Sequence, residues 1–221
     1  GQSAAEVAAH LHSVTDAQVH AVFSKYGYTP ADDSPYANRI FDAEAVDDFF
    51  GASPQWRERI MSYHRSTNYS AVDPELIADL YRREYTETVS GLRRFHVHRA
   101  SEVVDVRDTD DAVTVRIADG LSGKNTELVC DAVVFATGFE PTSVADLLGR
   151  LGARCAEDVH GRPVLDRQYR LRTDDEITGQ IFVQGNSEHT HGLTSTLLSN
   201  LAVRAGEILG AVTEQRALLP S

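Results

Sequence analysis

Apolar residues recur at helical spacing along the first fourteen positions. A repeat of about 3.6 residues is typical of an amphipathic helix, and the stripe here consists of Ala4, Ala5, Val7, Ala8, Leu11 and Val14. The helix is entered through Gly1, Gln2 and Ser3, and a Gly-led helix N-terminus presents free backbone N–H groups that suit a phosphate. Residues 19–23 follow as an apolar segment that predicts a strand. The two elements would form half of a βαβ unit.

More helices are predicted between residues 41 and 90. Residues 41–67 have helical character in two pieces that divide at Ser53 and Pro54, because serine is a natural N-cap and proline fits the first helical position. Asp73 and Pro74 begin the next helix in the same way, and its buried stripe is predicted to be Leu76, Ile77, Leu80, Tyr81 and Val89. Residues 24–39 are polar and contain two prolines and a glycine, which predicts an irregular loop.

From residue 95 the pattern changes to a period of two, which is typical of strands. The segments FHVH, EVVDVR, AVTVRIAD and LVCDAVVFAT predict a small antiparallel meander that leads into a buried strand. That strand, residues 132–136, is a continuous apolar run ended by Gly138 and Pro141, as in parallel sheets covered on both faces. Because Gly138 lacks a Cβ, the backbone there can lie against a ligand.

Beyond Pro141 the pattern predicts a short helix over residues 144–151, an irregular hairpin over 160–175 and a short buried strand over 180–184. Thr194 or Ser195 is placed to cap a final helix, whose apolar stripe consists of Leu197, Leu198, Leu201, Ala205, Ile208 and Leu209. Residues 215–221 are predicted to be a frayed tail. The alternation of helices with buried strands behind a Gly-led helix entry favours an α/β nucleotide-binding fold.

The composition argues against several classes of function. The 221 residues carry a formal net charge of −12, so no broad basic face for nucleic acid or an anionic membrane is expected. No apolar run approaches the roughly 20 residues of a membrane span. The two cysteines, Cys130 and Cys155, match no metal or redox spacing, which predicts a reduced, cytoplasmic protein.

Three other kinds of function compete for the polar residues. A serine hydrolase needs a G-x-S-x-G elbow, which the sequence lacks. A metal site at His189 and His191 lacks the H-E-x-x-H spacing, and His96 and His98, on one face of a strand, suggest no third ligand. We therefore expect no metal. A nucleotide-binding module without catalysis needs only the fold, so this alternative stays open.

Five separated segments together resemble the flavin-dependent N-hydroxylating monooxygenases, the L-ornithine N5- and L-lysine N6-hydroxylases of siderophore and related peptide biosynthesis. The segments are GQSAAE, DDSPYANRIFD, STNYSAVD, VVFATGF and EHTHGLTSTLLSNLAVRAGEI, in the family's order. The resemblance implies a Rossmann-like NADPH-binding domain over residues 1–137, without its first strand and first glycines. It implies the C-terminal portion of an FAD-binding domain over residues 138–215, with a tail over 216–221. It also implies a homo-oligomer, often a tetramer, and little activity of these residues alone.

The resemblance also implies roles for individual positions. The substrate-binding residues would be Asn38, Asn68, Leu197 and Ser199. The NADPH-binding residues would be Gly1, Gln2, Ser3, Ser24, Lys25, Tyr69 and Thr137. The FAD-binding residues would be Gly138, His191, Gly192, Leu193, Thr196 and Leu198. One departure concerns the arginine that stacks on adenine in many family members: its place holds Ser24, and the neighbouring Lys25 supplies charge but no planar stack.

The family's chemistry accounts for these residue types. The resemblance implies that NADPH reduces FAD, that O2 adds to give a C4a-hydroperoxyflavin, and that the substrate's side-chain amine attacks the distal oxygen. The amine must be neutral, although a free lysine-type amine has a pKa of about 10.4. Burial lowers that pKa, and neutral side chains such as Asn38, Asn68 and Ser199 hold the substrate without adding a carboxylate.

Two segments favour L-ornithine as the substrate. GYTPADDSPYANRIFD and HGLTSTLLSNLAVR are most similar to the actinobacterial ornithine hydroxylases. L-lysine is the close alternative, because one methylene discriminates only weakly in a pocket.

Overall fold

The computed structural model describes residues 1–109 and 111–218, and the chain forms two compact units. Unit 1 comprises Gly1–Ala31 and Asn68–Gly138; unit 2 comprises Asp32–Thr67 and the chain from Phe139 onward. One boundary lies within a residue of the predicted division at 137/138. Residues 32–67, however, belong to unit 2, because they pack against residues 187–207: the Asn200 side-chain amide, for example, donates to the carbonyl of Phe41 at 2.9 Å.

The regular elements follow one another in this order. The helices are α1 (Gln2–Val14), α2 (Ala45–Gly51), α3 (Pro54–His64), α4 (Pro74–Ser90), α5 (Val144–Leu148), α6 (Glu188–His191) and α7 (Leu201–Leu218). The strands are β1 (Val19–Val22), β2 (Phe95–His98), β3 (Ser101–Asp108), β4 (Val113–Asp119) and β5 (Asn125–Cys130). Single 3-10 turns lie at Ala37–Phe41, Arg65–Thr67, Gly149–Arg154, Leu193–Thr196 and Leu198–Asn200.

Unit 1 is built on the parallel pair β1 and β2, in which Val19 lies opposite Phe95. Ala5 and Ala8 of α1 and Leu80 of α4 enclose these two residues in one apolar core. The short side chains of α1 allow this close packing. The strand predicted over residues 19–23 is confirmed, with α1 before it.

The buried face of α1 differs from the predicted stripe. Leu11 and Val14 are 36% and 61% exposed, whereas His12 is buried. The reason is a polar contact: Nε2 of His12 lies 2.6 Å from Oε1 of Glu87 on α4. The predicted stripe of α4 is confirmed at Leu80, with Leu76 and Ile77 packed against the same core, while Tyr81 and Val89 are exposed.

The meander of unit 1 contains three strands, not four. Strands β3, β4 and β5 pair antiparallel, with Val106 opposite Val115 and Val115 opposite Leu128. The FHVH segment, predicted as the first meander strand, is β2 and pairs in parallel with β1 instead. Alternation of side chains identified the strand correctly but carries no information about which neighbour it joins.

Residues 132–136, predicted to be a buried strand, are neither a strand nor buried. Val134 and Phe135 are 60% and 66% exposed, and Phe139 is fully exposed. A strand is defined by a neighbour that accepts and donates its main-chain hydrogen bonds, and within the described part of the chain these residues join no sheet. Apolar composition alone was therefore not sufficient to predict a strand here, because no described residue pairs with this segment.

Helices α3 and α5 of unit 2 begin where the sequence predicts. The hydroxyl of Ser53 accepts the backbone N–H of Trp56 at 3.4 Å, and Pro54 opens α3. The division of residues 41–67 at Ser53 and Pro54 is therefore confirmed. Ser143 caps α5 in the same way, by accepting from the N–H of Asp146, although α5 ends at Leu148 and continues only as a 3-10 turn.

Residues 155–183 form irregular hairpins, which include the hairpin predicted over residues 160–175. Two turns are closed by an aspartate four residues before an arginine: Asp158 accepts the backbone N–H of Arg162, and Asp166 accepts that of Arg170. The strand predicted over residues 180–184 is reduced to an isolated bridge at Phe182. Buried apolar side chains beneath these hairpins are Val144, Leu165 and Leu171.

The last helix differs most from its prediction. Helix α7 begins at Leu201, because residues 193–200 form two 3-10 turns, and Leu198 and Leu209 of the predicted stripe are 83% and 62% exposed. The helix reaches Leu218, so it includes part of the predicted tail, and residues 219–221 lie outside the described residues. None of the described helices has the length and apolar character required to cross a membrane.

Candidate functional site

In unit 1 the entry to α1 lies against the turn at Ser70. The side-chain amide of Gln2 donates to the carboxylate of Asp73 at 2.8 Å, and its oxygen accepts the backbone N–H of Asp73 at 2.8 Å. A Cβ added to Gly1 would lie 3.3 Å from the Cα of Ser70. The predicted NADPH-binding residues Gly1 and Gln2 are thus brought next to the turn that carries Tyr69.

Lys25 joins the same neighbourhood from the end of β1. Its Nζ donates to the carbonyl of Ser70 at 3.2 Å and to the hydroxyl of Thr29 at 3.3 Å. The first turn of α1 contains no acidic residue and has no side-chain cap. Free N–H groups with a cation nearby and no competing carboxylate in that turn can bind an anionic group.

The other sites predicted in unit 1 are exposed. Ser3, Ser24 and Asn68 face solvent, and Tyr69 is half-buried. Thr137 and Gly138 lie in the exposed segment that follows β5, where Gly138 has a φ of +92°. This backbone conformation is accessible to glycine at little cost.

Three histidines meet on the strands of unit 1. Nδ1 of His20 lies 2.9 Å from Nε2 of His98, and the rings of His20 and His96 stack with centroids 4.4 Å apart. Burial, and then His96 and His98, lower the pKa of His20 to about 4. His96 and His98 are half-buried, and no group of metal-ligating side chains is found within residues 1–109 and 111–218.

In unit 2, His191 is a core residue. Its ring is fully buried and stacks on Tyr169 with centroids 4.0 Å apart. Nδ1 lies 2.7 Å from the hydroxyl of Thr190, and Nε2 lies 3.2 Å from the carbonyl of Arg167. Burial lowers the pKa of His191 to about 4. Because the ring is enclosed, the side chain of His191 is not available for the predicted contact with a flavin. The ring instead positions the loop that follows.

Gly192 allows the chain to turn sharply after His191. Its φ of +73° and ψ of −171° belong to a region that only glycine populates freely. An added Cβ would lie 3.1 Å from Cγ of the buried Phe49. Leu193 is buried as well, so Gly192 and Leu193 fix the path of the backbone.

Arg204 holds the loop that follows, and the sequence pattern did not identify it. This arginine of α7 is only 4% exposed. Its guanidinium donates to the carbonyl of Thr194 at 2.8 Å and to that of Leu197 at 3.2 Å. A signal was present, since Arg204 lies three residues after Leu201 and four before Ile208, on the predicted apolar face. A charge on such a face indicates a buried structural or functional role.

The loop held by Arg204 presents an exposed rim. Thr196, Leu198 and Ser199 face solvent, and Leu197 is half-buried. Leu198 is 83% exposed. A rim of one aliphatic and two hydroxyl side chains can contact a planar, partly apolar ligand.

Asn38 lies in a turn that is tied to this rim. Its side-chain amide donates to the carbonyl of Asp33 at 3.0 Å, and the side chain is exposed. Asn200 links the two turns through its hydrogen bond to the carbonyl of Phe41. Unit 2 therefore brings the turns that carry Asn38 and Ser199 together, whereas Asn68 lies in unit 1.

Comparison with protein families gives a match over most of the chain. The family described as L-lysine 6-monooxygenase/L-ornithine 5-monooxygenase matches residues 1–141. An L-ornithine N(5)-monooxygenase of Pseudomonas aeruginosa is 36% identical over 214 residues, which are 96% of this chain and 47% of that protein. The chain thus spans about half the length of the curated relatives it matches.

Solved structures give the same picture. An ornithine N-hydroxylase of Kutzneria sp. 744, solved with reduced FAD, NADP+ and L-ornithine, superimposes with a TM-score of 0.90 at 44% identity, over 98% of this chain and 52% of that one. An L-lysine 6-monooxygenase of Pseudomonas syringae superimposes with a TM-score of 0.78 at 34% identity, over 97% of this chain and 52% of that one.

Proposed function

This chain belongs to the L-lysine 6-monooxygenase/L-ornithine 5-monooxygenase family, and from that premise we propose that it is part of an NADPH- and FAD-dependent enzyme that hydroxylates the side-chain amine of L-ornithine at N5. In this reaction one oxygen atom of O2 enters the N–H bond and the other leaves as water. NADPH supplies the two electrons. The hydroxylated amine is a metal-chelating precursor of the kind that siderophore synthesis consumes.

The observation that carries the proposal is the backbone similarity to the ornithine N-hydroxylase of Kutzneria sp. 744. It covers 98% of this chain and therefore extends over both units. The substrate and cofactors named with that structure are what we assign to this chain.

Unit 1 is proposed to bind NADPH in a Rossmann-like manner. The support is the parallel β1–β2 pair preceded by α1, whose first turn has no side-chain cap and lies against the Ser70 turn to which Lys25 donates. Dinucleotides bind at the carboxyl ends of such strands, with phosphate at the helix N-terminus. Gly1, Gln2 and Ser3 would approach the pyrophosphate or the ribose from the α1 entry.

Unit 2 is proposed to carry the C-terminal portion of the FAD site. Thr196 and Leu198 on the exposed rim fit the partly apolar edge of a flavin, and Gly192 and Leu193 hold the backbone below them. When bound, the flavin supplies the oxygen chemistry. The contribution of the protein is to position the substrate and to exclude water.

Asn38 and Ser199 are proposed to hold the amino acid. Both side chains are neutral, exposed and located on linked turns. The substrate amine must lose a proton from a pKa of about 10.4 before its nitrogen can react. A neutral amide and a hydroxyl can fix the amine without stabilising its ammonium form, as a carboxylate would.

L-lysine is the second candidate substrate. The family includes both activities, and the L-lysine 6-monooxygenase of Pseudomonas syringae is 34% identical to this chain. The identity to the ornithine N-hydroxylase is higher, at 44%, and on that ground L-ornithine is preferred.

The test is product analysis on the complete protein with FAD, NADPH and O2. Hydroxylated amine is quantified by mass spectrometry with L-ornithine and with L-lysine in parallel. We expect hydroxyornithine as the main product. Product from L-lysine alone would correct the substrate, and consumption of NADPH with only hydrogen peroxide formed from either amino acid would overturn the assignment.

A further inference from the structure

An arginine and a tyrosine meet at the carboxyl edge of the two parallel strands in unit 1. Tyr26 follows β1 and Arg99 directly follows β2. Cζ of Arg99 lies 5.2 Å from the centroid of the Tyr26 ring, within the range of a cation–π contact. The carboxyl edge of parallel strands is the position at which α/β folds bind nucleotides.

The main chain around this pair is held in place from both strands. The backbone N–H of Ala100 donates to the carbonyl of Lys25 at 2.8 Å, and that of Ser101 donates to the carbonyl of Phe23 at 3.0 Å. Ala100 has a φ of +48°, which is costly for alanine and directs the chain into β3. The two side chains therefore project from a fixed corner.

The pair is accessible. Tyr26 is 67% exposed and the Arg99 side chain is 43% exposed. Nη2 of Arg99 lies 3.6 Å from Oε1 of Glu84, and the same oxygen lies 4.0 Å from Nη2 of Arg93. One carboxylate shared by two guanidinium groups leaves a local charge of about +1, in a protein whose net charge is −12.

Lys25 is less suited to bind a phosphate or a base at this edge than its position in the sequence suggests. Its ammonium already donates to the carbonyl of Ser70 and to the hydroxyl of Thr29. Ser24 offers no charge and no planar group. Arg99 has both, because a guanidinium can stack on a base or pair with two oxygens of a phosphate.

We propose that Arg99, held over Tyr26 at the carboxyl edge of β1 and β2, binds the adenosine end of the nicotinamide cofactor through its 2′-phosphate and so determines the preference for NADPH over NADH. This inference rests on the proposed function, which requires a nicotinamide dinucleotide. The 2′-phosphate takes the place of Glu84 as the anion that faces Arg99, and the phenol of Tyr26 supports the guanidinium from below.

The experiment is calorimetric titration of the complete protein with adenosine 2′,5′-bisphosphate and with adenosine 5′-phosphate. The first ligand carries the 2′-phosphate and the second lacks it. We expect Arg99→Ala to weaken binding of the bisphosphate by about tenfold or more, the size of one lost charge-assisted phosphate contact, and to change binding of the monophosphate less than twofold. Arg99→Lys, which keeps the charge but not the planar fork, is expected to lie between the two.

The matched control is Arg107→Ala. Arg107 is also a partly exposed arginine of unit 1 in an ion pair, with Asp105 at 2.8 Å, but it lies on the β-meander. Equal bisphosphate affinity in wild type and Arg99→Ala, or an equal loss in Arg107→Ala, would overturn the inference. If the wild-type protein binds neither ligand, the proposed use of NADPH fails as well, so the two failures are distinguishable.

A kinetic measurement gives a second readout. Arg99→Ala is expected to raise KM for NADPH with little change in KM for NADH and with kcat preserved, because the adenosine end lies far from the hydride that is transferred. A fall in kcat with unchanged KM would contradict the assignment.

Discussion

The two units of this chain are held together by different kinds of core. In unit 1, Phe95 is fully buried and Leu80 is 1% exposed, among alanines and valines. In unit 2, the region from residue 187 to residue 204 buries polar side chains to the same degree: Ser187, His191, Thr194, Ser195 and Arg204. The first core is held together by the burial of apolar side chains. In the second, buried polar side chains also form hydrogen bonds to the main chain.

This difference explains which parts of the chain carry regular structure. Apolar burial is non-directional and tolerates uniform helices and strands, as in α1, α4, β1 and β2. Most buried hydroxyl and guanidinium groups have a hydrogen-bond partner; here the Ser195 hydroxyl donates to the carbonyl of Gly192, and Arg204 donates to the carbonyl of Thr194. Main-chain carbonyls therefore accept from several buried polar side chains in the loop that we assign to the flavin side.

The largest effect is expected from Leu80→Ala in the apolar core. Truncation of a buried leucine removes transfer energy and leaves a cavity, which together cost about 2–5 kcal/mol. Amide hydrogen exchange should show this loss at β1 and β2, because Val19 and Phe95 pack in the same core. The neighbouring Tyr81 is 66% exposed and serves as control: if Tyr81→Ala lowered protection as much, the core would not be centred on Leu80.

A smaller loss is expected from Arg204→Met in the polar core. Methionine keeps much of the aliphatic volume but removes the guanidinium that donates to the carbonyls of Thr194 and Leu197. The Thr194 carbonyl keeps the N–H of Leu197 as a donor, so the cost arises mainly at Leu197 and is about 1–3 kcal/mol for an unsatisfied buried group. Hydrogen exchange should increase in the loop of residues 193–200 more than in α7. Arg150→Met, at an exposed position of unit 2, should have no such effect. Unchanged protection of the loop in Arg204→Met would mean that the guanidinium does not hold it.

The same comparison shows how far the sequence could predict the fold. The predicted helix starts were correct at Ser53 with Pro54 and at Asp73 with Pro74, and so was the strand predicted over residues 19–23. Capping and apolar periodicity are local signals, which is why the sequence shows them. The strand at residues 132–136 was wrong, since pairing depends on a neighbour that local sequence does not specify. The pairing of β2 with β1 was missed for the same reason.

The candidate site was predicted by residue type but not by orientation. Motif similarity selected His191 and Gly192, yet His191 is enclosed and acts on the loop, while Leu198 and Ser199 form its exposed rim. Arg204 was missed because periodicity identifies an apolar face but does not show which polar side chain on that face is buried. Arg99 was missed because its relation to Tyr26 depends on the parallel pairing of β1 and β2.

The smallest effect concerns the dependence of stability on pH. The pKa of His20 is lowered to about 4 in the folded state, from about 6.5 in an unfolded chain. Between these values the unfolded chain binds more protons, so the free energy of unfolding decreases as pH falls from about 6.5 towards 4. Because the ring is only half-buried, solvent reduces the effect. Thermal unfolding between pH 7 and 4.5 should show a falling Tm.

His20→Asn separates this contribution from other acid-sensitive groups. The variant removes the ring that meets His96 and His98, so its Tm should fall less steeply over that range than that of the wild type. His191, whose pKa is also lowered to about 4, remains in the variant and preserves part of the slope. His10→Asn alters an exposed histidine on α1 and should leave the slope unchanged. Identical slopes in the wild type and His20→Asn would exclude His20 as a source of the acid sensitivity.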